Sequence, residues 1–92
     1  LLPGAKDLAE MGIIPAGAYR NMDHVQPHLK VEATVERALA DLAADPQTSG
    51  GLLAAVPAEQ AEALLERLRA LAPASAIVGR GEARGETDLI LE

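Results

Sequence analysis

The sequence predicts an α+β fold (an α/β arrangement of two or three layers) in which helices pack on a mixed sheet. Two stretches carry apolar residues at helical spacing: Val35, Ala38, Leu39 and Leu42, then Ala61, Leu64, Leu65, Leu68 and Leu71. The apolar run at 52–56, between Gly51 and Pro57, is too short for a helix and reads as a strand, and 75–79 and 87–91, on either side of a stretch holding Gly81 and Gly85, read as two more. The 92 residues suffice for one domain or part of one. The expected order is α-loop-α-β-α-β-β.

Each element has a local reason. Pro3 to Met11 reads as a short helix, with Pro3 suited to a first helical position and Gly12 to the left-handed position after the last turn. The stretch IIPAGAYRNMDHVQPHLK, residues 13–30, holds Pro15, Gly17 and Pro27, and reads as a long irregular connection. Val31 to Ala43 reads as a helix that Asp45-Pro46 ends, since a residue before proline is pushed out of the helical region. Leu52 to Val56 reads as a strand buried on both faces. Pro57 opens a helix to about Leu71. Its acidic Glu59 and Glu62 come early and its basic Arg67 and Arg69 late, as the helix dipole favours. Ser75–Gly79 and Thr87–Leu91 read as strands joined by GRGEARGE in a hairpin or ribbon.

Composition excludes several classes of function. With no cysteine, there is no disulfide, thiolate chemistry or Cys–zinc site. Net charge is −6, which argues against a nucleic-acid partner. No apolar run approaches the ~20 residues of a membrane span, so the expected location is cytoplasmic, with no membrane partner. Tyr19 is the only aromatic residue. The core must be built from Leu, Ile, Val and Ala, and a core so thin is expected to lean on another domain or a second copy.

The densest set of special residues is DPQTSGGLL, Asp45 to Leu53. Gly50 and Gly51 permit positive φ and close backbone approach. The N–H groups of Thr48, Ser49, Gly50 and Gly51 can form a small anion-binding nest, with the two hydroxyls as further donors. A tight helix-to-strand turn tied off by Asp45 and Ser49 explains the same residues. The stretch is not a P-loop, because it follows a helix, opens a strand and lacks the lysine. Ser49 has no His or Lys placed by sequence to activate it. His24 and His28 have the spacing of two metal ligands on one helix face, but Pro27 stands between them and no third ligand is evident, so they read as loop histidines. Arg20 can hold a phosphate or carboxylate, or form a loop ion pair. No paired carboxylates suggest acid–base work, and no catalytic or metal residue is assigned.

ADPQTSGGLLAAVP, residues 44–57, resembles the C-terminal domain of the selenophosphate synthetases (selenide, water dikinases), where D-P-Q-T-S-G-G-L-L precedes a strand ending in A-V-P. Three flanking stretches match in the same order. LLPGAKDLAEMGIIPAGAYRN resembles a helix followed by P-G-G-T-x-R-N, PAEQAEALLERLRALAP the helix after the strand, and ASAIVGRGEARGETDLILE a closing ribbon. Ala16, Ala18 and Arg80 stand where the family usually has Gly, Thr and Glu.

The resemblance implies that 1–92 is a single partial domain, the C-terminal portion of a fold like that of the aminoimidazole ribonucleotide synthetases. It implies a chain cut from a longer protein, in keeping with its opening at Leu1, and missing the N-terminal domain with its catalytic Cys or selenocysteine and lysine. The full-length enzyme would turn selenide and ATP into selenophosphate, AMP and orthophosphate. It would use ATP and Mg, pair as a homodimer, and hold its own N-terminal domain as the partner of this one. Thr48, Ser49, Gly50 and Gly51 would form a turn on the phosphate side of the cleft. The 92 residues alone would be inactive, bind no cofactor, and self-associate through exposed sheet edges. Two alternatives remain open at this point: a standalone ligand-binding or dimerisation module, and part of a sister enzyme with another acceptor.

Overall fold

A computed structural model describes residues 1–92. It holds four α-helices, a short 3-10 turn and a two-stranded parallel sheet, which is an α+β architecture. The chain forms two compact units, Leu1–Gly50 with Arg84–Glu92, and Gly51–Ala83.

In the first unit, α1 spans Ala5–Glu10, α2 Ala16–Val25 and α3 Arg37–Ala43, while β1 is Leu29–Val31 and β2 is Leu89–Leu91. Helix α1 ends as its sequence predicts. Gly12 sits at φ +77°. Its N–H donates to the Ala9 carbonyl and that of Ile13 to the Leu8 carbonyl, the paired bonds of a Schellman motif. Lys6 bridges α1 to Glu36, the residue before α3, at 2.8 Å, and reaches Glu10 at 3.5 Å.

The expected connection over 13–30 is instead largely helical. Pro15 precedes α2 and Pro27 follows it, so both prolines bound the helix rather than break it. Ala18 is buried and Met22 and Val25 half-buried, a face at i, i+4 and i+7. The helix expected from Val31 begins only at Arg37: Val31 pairs in parallel with Leu91 instead, and a turn at 33–34 comes between that strand and the helix. His28 and Asp88 close the entry to that pairing. The Asp88 N–H donates to the His28 carbonyl at 3.0 Å, and the Asp88 carboxylate lies 3.0 Å from His28 Nδ1 and from Arg84 Nε.

In the second unit, α4 spans Ala58–Arg69 close to its expected bounds, with Leu65 buried and Ala61 and Leu64 half-buried on one face. The strands expected at 52–56 and 75–79 do not form. A doubly buried strand needs a hydrogen-bonding partner and cover on both faces. Residues 52–56 have neither here, and Leu52 and Leu53 are fully exposed. The hairpin of 75–79 with 87–91 is likewise absent, since β2 takes β1 as its neighbour.

Only Ala9, Ala18, Ala38, Ala40 and Leu65 are buried apolar residues. Alanine lets α1 and α2 each approach α3 closely, but it supplies little apolar area. The accessible surface is 7789 Å². Globular scaling gives about 6,000 Å² even when the two units are reckoned separately. Large apolar side chains, among them Leu1, Leu2, Leu52, Leu53 and Leu71, stand exposed. No helix is long and apolar enough to cross a membrane.

Two predictions concern this frame. Gly12→Ala forces an L-residue into the left-handed region and lowers unfolding free energy by about 1–2 kcal/mol, while Gly12→Asn costs less. Denaturant titration checks both. The hydrogen bond to Glu36, with the charges of Glu36 and Glu10, holds the Lys6 pKa above the ordinary lysine range, against the opposing effect of burial. A raised lysine pKa stabilises fully below the unfolded value and is lost as pH rises through the folded one. The stability gap to Lys6→Met is therefore present at neutral pH and closes in strong alkali, as thermal unfolding across pH will show.

Candidate functional site

The turn from Asp45 to Gly51 is built on the end of α3. Ala44 closes the helix, and the N–H groups of Ala44 and Asp45 donate to the Asp41 and Leu42 carbonyls. Pro46 then prevents continuation. Gln47 Nε2 donates back to the Asp45 carboxylate.

The back of the turn rests on α2. Gly17 lies so near Pro46 that a Cβ there would stand 2.7 Å from the proline Cγ. One helical turn later, Asn21 Nδ2 donates to the Ala44 carbonyl at 2.9 Å. Both residues lie in the stretch 13–30 expected to be an irregular connection. The available signal was the i, i+4 spacing of Gly17 and Asn21, which puts them on one helix face.

The front of the turn is open. Thr48, Ser49, Gly50 and Gly51 are all exposed. Their N–H groups donate to no backbone carbonyl, and the two hydroxyls make no hydrogen bond. Positive φ occurs only at Gly4 and Gly12. Gly50 and Gly51 therefore do not use the left-handed region, and an alternating nest is not formed. Asp45 ties off Gln47, but Ser49 ties off nothing. Thr48 and Ser49 form a turn whose two hydroxyls stand exposed and without a hydrogen-bond partner.

The remaining candidates lie apart from one another. His24 is exposed in the last turn of α2, whereas His28 follows in the 3-10 turn and pairs with Asp88. No three His, Asp or Glu side chains are grouped to hold a metal ion. Arg20 is exposed on α2 and forms no ion pair, so the loop-pair reading is not what is found. Two apolar concavities flank Leu91 and Ala43. The one of about 360 Å³ is lined mainly by Met22, Val25, Leu29, Ala40 and Leu89, with Asn21 and Asp45 as its polar members. Such walls suit an apolar side chain rather than a phosphate, and neither concavity includes Thr48–Gly51.

Over 92 residues the chain is 38% identical to the selenide, water dikinase of Clostridium botulinum (strain Alaska E43 / Type E3), covering 100% of this chain and 27% of that protein. The chain is related to the selenide, water dikinases. Selenide, water dikinase 2 of Peptoclostridium acidaminophilum is 42% identical over 92 residues, covering 99% of this chain and 26% of that protein. The selenide, water dikinase of Caldanaerobacter subterraneus subsp. tengcongensis is 42% identical over 90 residues, covering 97% and 26%. The chain thus spans about a quarter of the length of the curated relatives it matches. No family model matches it, and no solved structure matches it significantly.

Because Thr48 and Ser49 bond to nothing, Thr48→Ala and Ser49→Ala each change unfolding free energy by less than about 0.5 kcal/mol. Chemical denaturation of the single variants measures this, and a larger loss would mean that the hydroxyls hold the fold.

Proposed function

We propose that this chain is part of a selenide, water dikinase, within its C-terminal domain, and that Thr48, Ser49, Gly50 and Gly51 form one wall of the phosphate end of its site. The carrying observation is the DPQTSGGLL turn, whose donors stand exposed and unpaired. Identity to several selenide, water dikinases along the whole chain supports the same reading.

In the enzyme so read, selenide attacks a phosphoryl group of ATP. A selenium–phosphorus bond forms as a phosphoanhydride bond breaks. Water takes up the remaining phosphoanhydride, which leaves AMP and orthophosphate beside selenophosphate. Such transfer depends on positioning and on charge stabilisation of the phosphoryl oxygens. Backbone amides and hydroxyls on a fixed turn supply both, with no proton transfer required of them. Magnesium would accompany ATP in the full-length enzyme. The residues of this chain offer it no ligand set. The N-terminal domain, a second subunit and a cytoplasmic setting belong to the same reading. The exposed Leu52, Leu53 and Leu71 are surfaces for the rest of the enzyme to cover.

The test is on the full-length protein, incubated without oxygen with ATP, magnesium and selenide and followed by phosphorus NMR. Selenophosphate, AMP and orthophosphate are the expected products, and the 92 residues alone give none. Gly50→Val should lower turnover by about tenfold or more, because a Cβ at Gly50 already stands 3.1 Å from Gln47 Cβ. ATP turnover indifferent to selenide would assign the protein to a sister enzyme with another acceptor.

A further inference from the structure

We infer that α2 is the mount of the 45–51 turn, and that Gly17 and Asn21 are positioning residues that set where Thr48–Gly51 present their donors. The inference rests on the reading that this turn borders the phosphates.

Gly17 is the second residue of a ten-residue helix. It does not use positive φ, so glycine's conformational freedom is not why it is there. Glycine is a poor helix former even so, and packing must account for it. Contact with Pro46 does so. A Cβ at Gly17 would stand 2.7 Å from Cγ, 3.5 Å from Cδ and 3.6 Å from Cβ of the proline ring. The ring thus lies against bare backbone. Proline already fixes its own φ, and the helix behind it blocks the remaining swing of the turn.

Asn21 adds a second point of attachment on the same face of α2. Its amide donates to the Ala44 carbonyl, one of those that the end of α3 leaves without an intrahelical partner. The turn is therefore held at Ala44 and Pro46, with only Gln47 between the second attachment and Thr48–Gly51. Fixed support behind an open row of donors is what phosphoryl transfer asks of a binding turn, since a displacement of about 1 Å at such a site can cost a hundredfold in rate. Helix α2 itself touches no substrate in this account.

The experiment uses the full-length enzyme with Gly17→Ala, Pro46→Ala, the double variant, and Asn21→Asp, which keeps the shape of asparagine but donates no hydrogen bond. Steady-state kinetics in ATP and amide hydrogen exchange of residues 47–51 are both read. Gly17→Ala and Asn21→Asp should each raise KM for ATP by about tenfold or more and speed exchange at 48–51. Loss of folded protein alone would lower kcat and leave KM in place. Removing the ring should relieve the clash, so the double variant should return to within about threefold of Pro46→Ala. Independent, multiplying effects of Gly17→Ala and Pro46→Ala would overturn the inference, as would unchanged exchange at 48–51 in Asn21→Asp. Faster exchange with unchanged kinetics would keep α2 as the mount and overturn the reading of the turn as a phosphate wall.

Discussion

Pro46 lies against the backbone of α2 at Gly17, and the placing of the 45–51 turn depends on that contact. It joins the end of α3 to the start of α2, and Asn21 repeats the join one turn later through the Ala44 carbonyl. Helices of six, ten and seven residues are too short to persist alone in water. They exist here because they pack, and the residues they bury are alanines: Ala9 in α1, Ala18 in α2, Ala38 and Ala40 in α3. Small side chains bring backbones together. That closeness allows a proline ring to rest on a glycine and an asparagine amide to reach a helix end.

The same small side chains leave the core poor in area. Large apolar residues, from Leu1 and Leu2 to Leu52, Leu53 and Leu71, stand exposed. Burial of apolar surface is the main favourable term in folding, so a chain that leaves so much of it open draws on surfaces beyond these residues. In the proposed enzyme those surfaces are the remainder of the domain and its neighbour. The turn would then be fixed from behind by α2 and faced from in front by substrate.

Legibility from sequence followed how local each interaction is. The end of α1 could be read because Gly12 closes it through bonds only a few residues long. Helix α4 could be read because its stripe and charge order are contained within it. Helix α2 was obscured by Pro15, Gly17 and Pro27, which look like breakers together. Two of them bound the helix and the third answers to Pro46, a contact far along the chain. Its face of Ala18, Met22 and Val25 was the signal to weigh against them. The parallel partner of Leu89–Leu91 was beyond sequence reasoning, because pairing with Leu29–Val31 leaves no local mark. The runs at 52–56 and 75–79 carry a strand pattern, but pattern alone makes no strand without a neighbour to bond. The turn at 45–51 stood out by composition alone, whereas its support by α2 needed the fold.

The most direct measurement is backbone amide NMR of the full-length protein with glycine-selective isotope labelling, titrated with a non-hydrolysable ATP analogue. Eight glycines lie in this chain, and they sample α1, α2, the turn and the 79–85 loop. The account predicts that Gly50 and Gly51 shift strongly with the triphosphate, that Gly17 responds weakly through Pro46, and that Gly79, Gly81 and Gly85 stay still. Unmoved Gly50 and Gly51 resonances at saturating analogue would contradict it, and would leave the turn a structural joint with no part in holding phosphate.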